Sequence, residues 1–550
     1  MKRLIAIMLA ALMLIATALV IASCESGTEP AKTTATQSTD PQGNNDPDAT
    51  TAGGEQTATT AGGGTTPTEP VTTGDATTGG NTPATPTETT SGGTVDPGYD
   101  DGYSKPAGYL DVDFGGRTFS FVTTSDRNDP EDGFRWNTER EVFVESRTGG
   151  TIIDTAVYDR NAVMKRLYNC EIKAMEGSAT ELISNDVNSG TNEYDIGIWQ
   201  NQGVRDNKSG YLVNIYNLNP DFNLPGWNRT FFDQLTVRDK NGVDKLYCFD
   251  ADCNIVGYRG TWVLFCGLDM YDANFSESIF DIVNRGEWTV DKMIEMVSAV
   301  TQDNGDQVMT GGEDTFGLMS STYNSIAIIT SMGIRLVGVD PETHSFSVST
   351  DQILANNAVS ALDKAIELYA LDGVYVGSYA LAREEIQAGR TLFMGEVLDV
   401  LERMKDNENL NVTVLPEPLY QAQENPEYKF YVNTKASYYG VSKNACGGDL
   451  DMISDFINVW VYHSNKIVYP AFRQAYGSIY CQDERAMEML DYIINGRQYD
   501  IAYQKNTAAI GQVQDFIHKG KNTLSRAANS FVNQLKNTVD TFVDDMTASE

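Results

Sequence analysis

The sequence predicts an α/β protein of more than one globular body, carried on a long unfolded tether. Three observations predict it. From about Tyr109 onward, short apolar strands alternate with amphipathic helices. At 550 residues the chain exceeds what one core usually encloses and leaves room for two or three domains. Between Glu25 and about Ala107 the composition turns to Thr, Gly, Pro, Ala, Asp and Glu, with almost no large apolar side chain. Such a stretch cannot bury enough surface to offset its chain entropy. Over the whole chain, 41% hydrophobic and 10% aromatic residues still suffice for a substantial core.

The elements follow in order. Lys2 and Arg3 precede an uncharged apolar run from Leu4 to Ile21, which ends in Ala22 and Ser23 before Cys24. A charged start, an apolar middle and small residues at the end read as an export signal. An uncleaved membrane anchor is the alternative, because about 18 apolar residues nearly cross a bilayer. Ile21-Ala22-Ser23-Cys24 resembles the bacterial lipobox in order and spacing. That resemblance implies a signal peptide over 1–23 and a diacylated Cys24 as the mature N-terminus, since two acyl chains anchor durably where one is marginal. Residues 24–107 are then the lipidated cysteine and its disordered linker. About 80 flexible residues reach roughly 50 Å. The folded part would face outward, on the extracytoplasmic side of a bacterial cell membrane.

Thr118–Thr123 has strand composition and follows a Gly-Gly turn. A helix-like run covers Ile153–Leu167, and Glu171–Ala174 and Tyr194–Trp199 read as further strands. This alternation implies right-handed crossovers and a largely parallel sheet. Ligands of such sheets bind beyond the carboxyl ends of the strands, where Thr124, Ser125, Trp199, Gln200 and Asn201 stand. Further on, Thr289 can cap a helix whose first turn carries Asp291. Met293, Met296, Val297 and Val300 then repeat at helical spacing and mark its core face. Trp460, within the apolar Met452–Val461 run, and Trp288, at a helix start, read as packing residues. From Asp515 to Met546, Ile517, Leu524, Phe531, Leu535, Val539 and Phe542 predict one helix packed on the rest of the fold.

Charge and residue counts exclude several functions. Forty Lys and Arg against 76 Asp and Glu leave a formal charge of −36, so a nucleic acid is not an expected partner. His344, His463 and His518 are too far apart for metal-ligand spacing or a His-based triad, and no metal or other cofactor is expected. Setting Cys24 aside, Cys170, Cys248, Cys253, Cys266, Cys446 and Cys481 form no CxxC pair. Cys248, Cys253 and Cys266 are near enough in sequence to pair, and buried thiols are as compatible with the spacing as bridges.

Several segments together resemble the extracellular solute-binding lipoproteins of bacterial ABC importers, in particular the carbohydrate-binding, maltose-binding-protein-like group. Gly286-Glu287-Trp288-Thr289-Val290-Asp291, the turn Asp303-Asn304-Gly305-Asp306 and Asp314-Thr315-Phe316-Gly317-Leu318 occur in the order that group shows. Asp154–Asn161 resembles its early D-A-V-x-x-R-N helix, Gly389–Glu396 a strand crossing back into its first lobe, and Leu415-Pro416-Glu417-Pro418 the turn that follows. Tyr439–Lys443 resembles a second return, and 483–500 a late helix pair. The matches run from about residue 116 to 503. Gln307 follows Asp306 where the group often has Gly, and no window offers calcium-loop ligands, so no calcium is expected there.

The resemblance implies a two-lobed periplasmic-binding-protein-like fold with a hinge and an interlobe cleft over 108–550. Lobe 1 would comprise about 108–250 plus 395–433, and lobe 2 about 251–394 plus 434–550. Crossings are expected near Phe249–Val256, Thr391–Glu396 and Asn433–Tyr439. It further implies reversible capture of a small solute, a sugar or oligosaccharide, without catalysis, and delivery to the transmembrane subunits of an ABC permease. Sugars pack their C–H faces on aromatic rings while polar groups satisfy the hydroxyls. The candidate ligand-binding residues are Trp199, Tyr258, Trp262, Tyr323, Tyr439 and Tyr476, with Gln200, Asn201 and Glu396 as hydrogen-bonding groups and Thr124 and Ser125 at the strand end. A secreted glycan-active enzyme and a surface adhesin without a transporter are the rival functions, because 76 acidic residues supply carboxylate pairs by count alone.

Overall fold

The computed structural model describes residues 102–123, 137–199, 210–354, 357–405, 407, 410–505 and 507–548. The export segment, Cys24 and nearly all of the tether lie outside the described residues, as do Thr124, Ser125, Gln200 and Asn201.

Nine strands build two sheets. In chain order they are β1 (Arg117–Thr123), β2 (Cys170–Glu176), β3 (Ile196–Trp199), β4 (Trp262–Gly267), β5 (Phe316–Ser320), β6 (Val374–Val376), β7 (Thr391–Val397), β8 (Val412–Leu415) and β9 (Tyr438–Val441). The first sheet has the order β9-β3-β1-β2 and the second β6-β5-β7-β4-β8. The folded part is thus α/β, with its strands divided between two halves. The sheets are more mixed than expected. β1 runs parallel to β2 and β3, and β5 to β6 and β7, but β9 is antiparallel to β3, and β4 to both β7 and β8.

Local sequence explains the main elements. Helix Ile152–Tyr168 starts with a capping box, in which Thr151 accepts from the Asp154 amide and Asp154 from the Thr151 amide. It stops at Asn169, whose left-handed backbone (φ 53°) satisfies the last turn. On the first sheet, Phe119 stacks on Phe456 at 3.6 Å between centroids and Phe121 meets Trp460 at 4.9 Å, so helix Leu450–His463 covers this sheet as its apolar run predicts. In the second half, helix Val290–Val300 is capped by Thr289 and buries Met293, Met296, Val297 and Val300 against β5. The approach is close. A Cβ at Gly317 would lie 2.6 Å from the Val297 Cα, so only glycine fits. Trp288 is fully buried and its Nε1–H donates to the Pro416 carbonyl at 2.8 Å, a packing role as expected.

Three segments carry the chain between the sheets. The first covers about 250–261 and the second about 432–438. They run side by side, bridged antiparallel at Phe249–Tyr439 and at Thr261–Val432. The third lies within 464–486, where two π-helical turns, Ser464–Val468 and Ala475–Ile479, interrupt a long helical stretch. The expected crossing at Thr391–Glu396 does not occur. All seven residues of β7 are buried and the strand sits between β4 and β5. A continuous apolar run is the mark of a strand covered on both faces, not of a half-exposed connection. The lobe boundaries change accordingly: the expected boundary at 394/395 falls inside β7, β7 and the following β8 belong with the second sheet, and β9, within 434–550, returns to the first.

The C-terminal stretch forms two helices rather than one, Thr507–His518 and Leu524–Thr547, broken at Gly520 (φ 62°). They pack beside helices Thr350–Leu354 and Ala358–Tyr369 of the second half. None of the six described cysteines is in a disulfide, and Cys248, Cys253 and Cys266 are separate buried thiols. One continuous hydrophobic core runs through both halves.

Candidate functional site

The register of the second sheet brings one set of loops together. Ser320, Val376 and Gly395 are neighbours across β5, β6 and β7, and the Ser320 hydroxyl donates to the Gly395 carbonyl at 2.8 Å. Antiparallel β4 starts at the same edge, with Trp262 opposite Val397. The residues just beyond these strand ends therefore share one rim: Tyr323 after β5, Tyr379 after β6, and Glu396 at the end of β7. The Trp262 ring lies 6.4 Å from Tyr323 at an interplanar angle of 26°, and 6.5 Å from Tyr379 at 43°. Tyr431 is buried beside both tyrosines, and burial first, then their charge, pushes its phenol up.

This cluster has one open face. Tyr323 is 45% exposed and Tyr379 half-buried, whereas Trp262 is 2% exposed. The Trp262 Nε1–H is buried and meets no acceptor among the described residues. Glu396, 1% exposed, has the Arg383 guanidinium 3.8 Å away, a charge neighbour beyond hydrogen-bond distance. An aromatic platform bordered by an acid and a guanidinium can pack a sugar's C–H face and offer both donors and acceptors to its hydroxyls.

The first half, the first crossing and Glu402 of the second half line a cavity of about 60 Å³, whose lining includes Arg140, Glu141, Asp154, Val256 and Arg259. Ligand sites for drug-sized molecules span about 300–1,000 Å³. This gap is therefore too narrow for a sugar unless the halves move apart. Glu141 is buried, its Oε1 accepting from the Tyr439 hydroxyl at 2.7 Å and its Oε2 from the Val256 amide at 2.8 Å. Burial pushes its carboxyl up to about 7 against the pull of those two donors, Arg259 and Arg160. Arg259 pairs with Asp399, lies 3.3 Å from Glu402, and is backed by Arg403, which donates to Asp399 at 2.9 Å. Burial also acts on Glu402, but the Arg259 charge, with Lys405 and the Tyr476 hydroxyl, outweighs it and holds Glu402 below the usual range.

The predicted residues fall into distinct places. Trp262, Tyr323 and Glu396 come together on the second-half rim. Trp199 is 8% exposed, its ring lying over Gly197 and Gly440 and its Nε1–H donating to Thr180 Oγ1 at 3.0 Å, which is a packing position. Tyr258 is buried against Phe472, 5.0 Å between centroids, and its hydroxyl donates to Asp252. Tyr439 holds Glu141, and Tyr476 donates to Glu402 at 3.2 Å, so both are buried polar anchors near the crossings rather than open platforms. Sequence reasoning missed Tyr379, Arg383, Glu141 and Arg259. The Gly377-Ser378 turn, where Ser378 caps helix Tyr379–Gln387 directly after a strand, is the signal that could have found Tyr379.

Among solved structures, the chain is similar to the GacH receptor of Streptomyces glaucescens, determined unliganded and with acarbose. Identity is 13% over 77% of this chain and 99% of that one, with a TM-score of 0.46. An ABC substrate-binding protein from Listeria monocytogenes in complex with cycloalternan is similar at 11% identity, 77% and 99% coverage and a TM-score of 0.45. A cyclo/maltodextrin-binding protein complexed with maltotetraose is similar at 11% identity, 77% and 97% coverage and a TM-score of 0.47. No protein-family model and no curated protein sequence matches the chain.

Proposed function

We propose that this chain is a solute-binding protein that captures a sugar or oligosaccharide between its two halves, is held outside the cell by a lipidated Cys24, and delivers its ligand to an ABC permease. The observation that carries the ligand class is the Trp262–Tyr323–Tyr379 cluster at the rim of the second sheet, with an open tyrosine face and a Trp262 indole N–H that meets no acceptor among the described residues. Binding without turnover fits how the carboxylates nearby are held. Both oxygens of Glu141 are bonded to Val256 and Tyr439, and Glu402 is bonded or paired to Arg259, Lys405 and Tyr476, so both acids are turned to protein groups. The lipobox-like Ile21-Ala22-Ser23-Cys24 and the long polar tether support the anchoring.

A thermal-shift screen of the protein with sugars, oligosaccharides and peptides tests the ligand class, because a ligand that binds the folded state raises its melting temperature by mass action. At least one oligosaccharide should stabilise the protein, and Tyr323→Ala should weaken that ligand about tenfold, about 1.4 kcal/mol of lost contact. Stabilisation by peptides alone, or an undiminished sugar response in the variant, would overturn the proposal. The mass of the mature N-terminal peptide tests Cys24, and loss of sugar uptake on deletion of the protein tests the permease partner.

A further inference from the structure

Two buried groups of the first half touch all three segments by which the chain passes between its sheets. Glu141 accepts from the Val256 amide in the first crossing and from the Tyr439 hydroxyl at the end of the second. Arg160, fully buried, donates to the backbone carbonyls of Glu141 and Val142 at 3.0 and 2.8 Å, and to the Ser464 hydroxyl at 3.2 Å. Ser464 opens the π-helical turn that begins the third crossing. Glu141 also lines the cavity, together with Arg259 and Glu402. Opening of that gap at Glu141 would bring water to its carboxyl group.

We propose that Glu141 is a proton-operated switch on the opening of the gap: uncharged Glu141 favours the narrow form, and ionised Glu141 favours the open one. The hydrogen-bond geometry provides for both states. Ionised, the carboxylate accepts from Val256 and Tyr439. The backbone amide can only donate, so an added proton sits on Oε1. That oxygen then donates to the Tyr439 oxygen, and the tyrosine hydrogen turns to the Cys253 carbonyl, 3.4 Å away in the first crossing. No buried donor or acceptor is abandoned.

Linkage sets the direction. Burial in the narrow form raises the carboxyl from 4.5 to about 7. Exposure to water on opening returns it toward its ordinary value, so proton binding favours the narrow form and loss of the proton favours opening. The titratable and charged neighbours are Arg160 on helix Ile152–Tyr168, Arg259 and the Cys253 thiol on the first crossing, the Tyr439 phenol on β9, and, among the residues lining the cavity, the Arg140–Asp154 pair and Glu402. Arg160 and Arg259 favour the ionised form and limit the shift but do not cancel it. Between pH 6 and 8 the opening equilibrium should move about tenfold.

Hydrogen exchange of the full chain, corrected for the intrinsic pH dependence of exchange and read over 253–259 and 437–441, tests this without any ligand. Protection in the wild type should fall about tenfold from pH 6 to pH 8. Glu141→Gln mimics the neutral acid, because its carbonyl can accept from Val256 while its amide donates to Tyr439. It should show no fall between pH 6 and pH 8 and be at least as protected as the wild type at pH 6. Tyr439→Phe keeps the ring but removes a donor from the carboxylate, so the midpoint should move to higher pH. A flat wild-type profile, an E141Q variant that falls like the wild type, or an unmoved midpoint in Y439F would each overturn the proposal.

Discussion

Glu417→Gln should change how stability depends on pH without changing the fold. Glu417, in the Leu415-Pro416-Glu417-Pro418 turn after β8, is fully buried. Its Oε1 accepts from Asn324 Nδ2 at 2.7 Å, and its Oε2 has no partner among the described residues. Burial raises the carboxyl from 4.5 to about 8, with the Asn324 bond the opposing pull. The folded-state value lies above the unfolded one, so the associated stability is fully present below pH 4.5 and is lost as pH rises through 8. A rise of that size is worth about 5 kcal/mol across the window, of which about 3 kcal/mol is lost by pH 7. A loss of 3 kcal/mol is a large share of a typical 5–15 kcal/mol stability. Glutamine keeps the acceptor for Asn324 and cannot ionise. Wild type and E417Q should therefore unfold at similar urea concentrations near pH 4.5, and the variant should gain on the wild type steadily up to pH 9. Glu141, Asp252 and Asp500 are also pushed up by burial, but they are common to both proteins, so the difference isolates Glu417. Parallel pH profiles would refute the reasoning.

Two further substitutions probe the same physics. Arg160→Met removes a buried guanidinium that serves four acceptors, so it should cost about 3–5 kcal/mol, seen as a lower urea midpoint, and should raise the pH at which Glu141 ionises. Gly395→Ala places a Cβ 2.4–2.5 Å from the Asn324 carboxamide, which would have to leave both Glu417 and the Tyr369 hydroxyl. It should destabilise by about 1–3 kcal/mol and be non-additive with E417Q by more than about 0.5 kcal/mol in a double-mutant cycle.

What the sequence made legible follows periodicity and end signals. The capped helix after Thr289, the apolar helix around Trp460 and the strands at Thr118–Thr123 and Tyr194–Trp199 are local patterns, and the structure places them within a few residues of their expected bounds. What stayed hidden depends on partners far along the chain. β7 looks the same in sequence whether it crosses between halves or fills the centre of a sheet, and only its pairing with β4 and β5 decides. Tyr323, Tyr439 and Tyr476 are alike as residues. They part company because Tyr323 lies on an open rim while the other two spend their hydroxyls on Glu141 and Glu402. Glu141 carried no local signal at all, since its meaning arises from Val256 and Tyr439, 115 and 298 residues away.

The described aromatic platform belongs wholly to the second half, and that has a thermodynamic consequence. A ligand held by Trp262, Tyr323 and Tyr379 alone would bind the open and narrow forms equally and would shift nothing, however tight the contact. Closure on a ligand needs interactions that exist only when the first half is near. Among the described residues, those lining the gap from that side are Asn137, Arg140, Glu141, Thr151, Ile153 and Asp154, mostly polar and suited to hydroxyl groups rather than to a second ring. The two halves would then divide the work: the rings of the second hold a sugar face in either form, and the polar groups of the first add bonds only on approach. The narrow form also returns Glu141 to its buried, proton-binding state. Ligand and proton then favour the same form, and binding of either strengthens binding of the other by one common factor.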